Sequence, residues 1–195
     1  MLVALTGTPG TGKSAVAREL RKRGFRVISL NRLAKKKFAK GYDTYRNTVE
    51  VDIDSMREYI SKIGLPKGEV KKRNGKVVKR SIVFLESHIS HFMDVDMIIV
   101  LRAKPSIIEK RLKRRGYSER KIRENMEAEG VDVISIESKE TGKEAFEIDT
   151  SEANVHKVAD YIVKIVTGNE NEREKYKDKY GLGNVNWSEE VLGWY

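Results

Sequence analysis

"MLVALTGTPGTGKSAVAREL" (residues 1–20) contains the reading from which the rest follows. Residues 1–6 are an apolar run bounded by Gly7, the pattern of a strand covered on both faces. Residues 13–23 repeat apolar or small positions at helical spacing until Gly24 stops them. Between strand and helix lies Gly7-x4-Gly12-Lys13-Ser14, a match to the Walker A pattern at every fixed position. Glycines at 7, 10 and 12 let the backbone curl so that successive N–H groups face a phosphate. The helix beginning near Lys13 adds its positive dipole end. Lys13 can then reach β- and γ-phosphates, and the Ser14 hydroxyl can take one position on Mg²⁺. This is a nucleoside-triphosphate site.

A chain of 195 residues fits one compact domain with some length left for a tail or insertion. It has no cysteine, which excludes disulfides and thiolate metal sites and suits a reducing cytoplasm. The first residues lack a basic leader and a small-residue cleavage site, so no signal peptide is expected. Nowhere does an apolar stretch approach the ~20 residues of a membrane span, and a soluble, cytoplasmic protein is expected. A net charge of +10 with 35% charged residues points to anionic partners, nucleotides first and RNA second.

Further along, "FRVISL" (25–30) reads as a second strand, and "NRLAKKKFAK" (31–40) as a helix capped by Asn31 and ended by Gly41. "DIDSMREYISKIG" (52–64) is a helix with Ile53, Met56, Tyr59, Ile60 and Ile63 on one face. Asn74-Gly75 between "EVKKR" and "KVVKR" signals a hairpin. "SIVFLE" (81–86) and "VDMIIVLR" (95–102) carry unbroken apolar runs, as central strands do. Pro105 sits near the start of a helix running to about Arg115, a long charged helical segment covers about 118–138, "EAFEID" is the last strand and "SEANVHKVADYIVKIV" the last good helix. Alternating strands and helices predict an α/β fold with a mostly parallel sheet covered on both faces. Beyond Gly168 the pattern breaks, so 1–167 is expected as the domain and 168–195 as an appendage; Trp187, Trp194 and Tyr195 either dock it or await a partner.

The metal partner of a phosphate loop is usually an acidic residue ending a neighbouring apolar strand. Glu86 supplies it, to hold Mg²⁺ directly or through water. His88 lies two residues on and faces the same way if the chain remains extended. His91 reads as a surface histidine. The basic stretches "RLAKKKFAK", "KKRNGKVVKR" and "KRLKRRGYSERKIR" remain as candidate anion contacts, by which Arg and Lys neutralise a transferring phosphoryl group or grip RNA.

The stretches "LTGTPGTGKS", "LAKKKFAKGYD" with "DID" after it, "FLESH", "IIVLR" and "RLKRRGY" together resemble the type-six adenylate kinases, also called coilin-interacting nuclear ATPase proteins, a family with archaeal members. The resemblance covers residues 1 to about 167. It implies a P-loop fold like that of nucleoside-monophosphate (NMP) kinases: three α/β/α layers, a five-stranded sheet, an NMP-binding region at about 29–51 and a short lid at about 114–124; the basic hairpin at about 69–80 and the tail after 168 lie outside the resemblance. It implies phosphate transfer from ATP to AMP or another NMP with Mg²⁺, an accompanying ATPase activity, and service in late small-ribosomal-subunit maturation and rRNA processing. The implied partners are a platform ribosomal protein and pre-ribosomal RNA.

Carried over by motif, ATP contacts fall to Gly10, Gly12, Lys13, Ser14 and Ala15. Arg115 matches the lid arginine, with Arg111 one turn earlier as its support. Lys35 stands at the acceptor arginine, and Glu86 and His88 stand at an Asp-x-His pair. Three departures follow. Glu86 is a methylene longer than Asp, Ile89 stands where glycine is common, and Lys35 lacks arginine's planar fork for phosphate. By position alone, Thr150-Ser151 is the adenine-side loop.

Overall fold

A computed structural model describes residues 1–44 and 48–194. In chain order the elements are β1 (Leu2–Thr6), α1 (Lys13–Lys22), β2 (Arg26–Ser29), α2 (Leu30–Lys37), β3 (Ala39–Asp43), β4 (Thr48–Val51) and α3 (Ile53–Lys62). Then follow β5 (Lys72–Arg73), β6 (Lys76–Val77), β7 (Val83–Glu86), β8 (Met97–Arg102), α4 (Pro105–Lys113), α5 (Glu119–Gly130) and α6 (Val133–Glu140). The last are β9 (Ala145–Asp149), α7 (Val155–Thr167), α8 (Glu170–Tyr180) and α9 (Ser188–Leu192). Within the 29–51 region, residues 45–47 lie outside the described residues, as does Tyr195.

The five-stranded sheet runs β2-β7-β1-β8-β9, and every pair in it is parallel. The apolar runs explain its layers. On β1, Val3 and Leu5 face one core with Val16, Leu20 and Ile162, while Leu2 and Ala4 face another with Leu30, Met56 and Ile60. The same two-residue alternation divides Phe84 from Val83 and Leu85, and Ile99 and Leu101 from Ile98 and Val100. Period-two strands buried on both sides require helices on both faces. The expected three-layer α/β/α architecture is what forms.

Several local expectations change. The second helix starts one residue before Asn31, after Ser29, and stops at Lys37. Asn31 accepts instead from the Ser87 hydroxyl at 2.7 Å. Phe38 ends the helix by turning in against Tyr59, ring centroids 5.5 Å apart, and its carbonyl takes the Asp52 N–H at 2.9 Å. That bond draws 39–43 and 48–51 into an antiparallel pair, so Gly41 is a strand residue rather than a helix stop. The long charged helical segment expected over 118–138 resolves into two helices, α5 and α6, broken at Asp132, whose φ is 59°. Its carboxylate is bound by Arg102, a partner 30 residues away that no local pattern announces. The Asn74-Gly75 hairpin is present, with φ of 51° and 71° at the two turn residues.

After Gly168, α8 lies against β9 and α7, and α9 lies against α5. A capping box of Asn169 and Glu172 starts α8. Tyr180 joins the α1/α7 core, its ring 5.3 Å from that of Tyr161. Gly181 then bridges Phe146, and Trp187 is buried.

His91 is a further correction. It is 1% exposed, because the tight turn Ser90–Phe92 folds it under the end of β1. Nδ1 lies 3.0 Å from Thr6 Oγ1, and Nε2 lies 3.1 Å from Glu137 Oε2. Both fit a neutral ring that accepts from the hydroxyl and donates to the carboxylate. Burial, then the charge of His88, push its pKa from 6.5 to about 4. The sign follows directly. Above 6.5 the ring is neutral folded or unfolded; between 6.5 and about 4 the unfolded chain binds the proton first, so stability is lost as pH falls through that window. The loss approaches ~3 kcal/mol once pH passes the folded pKa. Melting temperatures between pH 7 and 4 should fall more steeply for the wild type than for His91→Gln, and parallel curves would refute this account.

Candidate active site

Gly7 leaves β1 with φ of 134°, and a Cβ there would stand 2.2 Å from the Leu101 carbonyl. Glycine is therefore required where the loop passes β8. Gly10 and Gly12 also have positive φ, 102° and 91°, the alternation that gathers N–H groups into an anion nest. Ala15 lies in the first turn of α1, its own N–H on Gly12 O at 3.0 Å.

Lys13 is buried inside the loop, with Nζ donating to Gly7 O at 2.5 Å and Thr8 O at 3.0 Å. Burial lowers its pKa to about 8; Glu86 and Glu129 oppose this, and Arg115 adds to it. An ammonium group resting on neutral carbonyls in a dry pocket has much to gain from a polyphosphate, which would supply the missing counter-charge.

Glu86 closes β7 beside β1, and its Oε1 accepts from Ser14 Oγ at 3.0 Å. Two hard oxygen groups at one edge suit Mg²⁺, which takes few protein ligands and completes its shell with water and phosphate. Among the described residues no group of three or more His, Cys, Asp or Glu side chains could hold a metal, so no all-protein cage competes with this arrangement. Ser14 and Glu86 fit the ion.

The chain does not stay extended after Glu86: Ser90 N–H turns back to Ser87 O at 3.4 Å. Glu86 is thus buried, whereas His88 keeps an exposed face at the mouth of the loop. Crowding by the surrounding cleft, then the charges of Lys13 and Lys121, push the His88 pKa down to about 4. Water on the open face moderates that drop, and its sign leaves a neutral imidazole at pH 7. Ile89, on the next residue, packs partly buried on the α2/α3 core.

Arg111 and Arg115 separate in role. Arg111 Nη1 donates to Gly10 O at 3.1 Å and to Thr150 Oγ1 at 3.3 Å, while Nη2 donates to Thr150 O at 2.7 Å. It ties the phosphate loop to the loop after β9. Burial, then the charge of Arg115, lower its pKa against the pull of Asp149. Arg115 is exposed in the turn between α4 and α5, close enough for its charge to act on Lys13 and Arg111.

A cleft of about 760 Å³ opens from Ser14 and Glu86 between α1, β2 and α2. Arg18, Arg21, Arg32 and Lys36 line it, against Glu86 as the acidic member. Lys35 is exposed and lies outside that lining. The neighbouring cations were legible in part: Ser14 and Arg18, like Arg32 and Lys36, are four residues apart and share a helix face. What the sequence concealed was which turn of α2 faces the cleft, since all of 35–37 is lysine.

Fold and site together define a P-loop nucleotide-binding protein with the NMP-kinase architecture. Residues 3–132 match the family described as AAA domain. A relative from Methanosarcina mazei named "Putative adenylate kinase" is 41% identical over 98% of this chain and 100% of its own length. A relative of the same name from Archaeoglobus fulgidus is 37% identical over 98% and 94%. The chain belongs to the AAA domain family and to the adenylate-kinase-like group that these relatives form. Among solved structures, the YorR protein of Bacillus subtilis in complex with phosphorylated GDP superposes with a TM-score of 0.55 at 16% identity, covering 85% of this chain and 95% of that one. Shikimate kinase from Acinetobacter baumannii gives 0.51 at 14%, covering 87% and 94%. At such identities the likeness is one of fold. No helix among the described residues is long and apolar enough to cross a membrane.

Proposed function

We propose that the chain is an NMP kinase that moves the γ-phosphoryl group of ATP to AMP or another NMP. The observation that carries this reading is the cationic cleft contiguous with Ser14 and Glu86. Hydrolysis needs only a water beside the γ-phosphate, whereas four cations across 760 Å³ make room for a second, anionic substrate. Lys13 and the loop amides hold the donor phosphates, and Ser14 with Glu86 would hold Mg²⁺, which neutralises phosphate charge when bound. Arg115 would approach the transferring group from the turn after α4, and Arg32 and Lys36 would take the acceptor phosphate in place of Lys35. The names of the relatives agree with an adenylate acceptor.

A second reading is favoured by one feature. Lys71, Lys72, Arg73, Lys76 and Arg80 on and around the β5–β6 hairpin are exposed and take no part in the cleft. An ATP-hydrolysing assembly factor in small-subunit maturation would use such a patch on pre-ribosomal RNA or beside a ribosomal protein. The neutral imidazole of His88 suits it to orient or deprotonate the attacking water.

One assay separates the two. ATP with AMP should yield two ADP per event, with slow phosphate release when AMP is omitted. If AMP is neither phosphorylated nor alters ATP consumption, the kinase reading fails. Hydrolysis that RNA accelerates, with a stimulation lost steeply as salt rises, would then favour the second.

A further inference from the structure

The buried carboxylate of Glu129 lies behind the phosphate loop, on an element none of the roles above employs. Its Oε2 accepts from Thr8 Oγ1, a loop side chain, at 2.6 Å. Its Oε1 accepts three donors: Arg102 Nε at 2.8 Å, Ala103 N at 3.0 Å and Trp187 Nε1 at 3.3 Å. With one oxygen so occupied, the carboxylate plane cannot turn, and the other oxygen is presented to Thr8 at one place. The Thr8 carbonyl in turn accepts Thr11 N at 3.1 Å and Lys13 Nζ at 3.0 Å. Hydrogen bonds joined through the covalent frames of Glu129 and Thr8 therefore connect an indole near the C-terminus to the lysine of the loop.

The segment carrying Trp187 is held independently. Val185 N donates to Glu147 Oε1 at 2.5 Å, and Ser106 N at the start of α4 donates to Glu190 Oε1 at 2.6 Å. Gly130 leaves the room that α9 needs, since a Cβ there would meet Val191 Cγ2 at 2.7 Å.

We propose that Glu129 is a positioning residue of the phosphate loop, locked from the far side by Trp187, so that the C-terminal segment sets ATP affinity from outside the cleft. The physical case is preorganisation. A loop that must present several amides to a triphosphate loses affinity whenever it has to be ordered by the ligand itself. Thr8 is the loop side chain anchored to the body in this way, and its anchor is buried where water cannot compete.

The inference rests on reading the loop as an ATP site, and the test is made on the full chain with ATP as the probe. Titration calorimetry should give about 10-fold weaker ATP binding for Thr8→Val, which keeps the shape and loses the hydroxyl. Thr8→Ser should return it to within about 2-fold of wild type. Trp187→Phe, which keeps an aromatic ring and removes the N–H, should weaken ATP about 3-fold with the KM of the acceptor unchanged. Because both side chains act along one path, the double variant should be no worse than Thr8→Val alone.

Three results would overturn the proposal: ATP affinity of Thr8→Val within 2-fold of wild type, Trp187→Phe lowering the melting temperature alone, or losses that add in the double variant. Wild type that binds ATP but leaves AMP untouched would sink the kinase reading and spare this one. Wild type that does not bind ATP would sink both.

Discussion

Lys13→Ala should lower ATP turnover by about 10³-fold and weaken ATP binding with it, because the transferring phosphoryl group loses its one buried cation in the loop. Lys13 is 7% exposed and donates to carbonyls of its own loop, Gly7 and Thr8. Its loss leaves those carbonyls beside a small cavity that water can enter, so the fold should persist. The variant should keep a melting temperature near that of wild type while single-turnover chemistry collapses. The comparison matters because a folded, inactive variant assigns the effect to charge at the phosphates. Retained affinity and turnover in that variant would remove the phosphate loop from the account altogether.

Arg102→Leu should have the largest effect on stability. Arg102 is the largest fully buried side chain among the described residues, and its guanidinium is shared among Glu129, Glu147, Asp132 and the Ser135 hydroxyl. Burial works against its charge, but the three carboxylates outweigh that and raise its pKa. Glu129 and Glu147 have side chains 2% and 0% exposed, so removing the cation strands two buried anions. Breaking such a cluster costs ~3–5 kcal/mol. For a chain of this size that is a melting temperature lower by about 10 °C or more. Adding Glu147→Gln to Arg102→Leu should recover part of the loss, since the pair of changes removes one stranded charge along with its partner. Full stability of Arg102→Leu, measured by denaturant or heat, would contradict the ion cluster as a structural support. Because Glu129 also holds Thr8, the same variant should weaken ATP binding, which connects the core cluster to the loop.

The extent to which the site was legible follows from the range over which each feature is determined. The phosphate loop was complete in 14 residues, because its glycines, lysine and serine act through backbone curvature and a helix start that are local by nature. Glu86 was legible as well, since an apolar strand ending in an acid beside β1 has one place to go in a parallel sheet. Arg32 and Lys36 were legible as charges but not as lining of the cleft. That they line the cleft while Lys35 does not depends on the rotation of α2, which packs through Phe38 on Tyr59.

By itself the sequence determined the order of the five strands of the central sheet along the chain, the two-faced burial of β1, β7 and β8, the phosphate loop and the Asn74-Gly75 turn. Each rests on side-chain period or on a backbone conformation that few residues tolerate, and both act within a few positions. Only the tertiary structure decided that α5 breaks at Asp132, that His91 is buried against Thr6 and Glu137, and that Trp187 reaches Glu129. These are polar groups whose fate depends on a partner 30 to 85 positions away. Buried polarity is stable only when paired, and the pairing exists only after the chain has closed on itself.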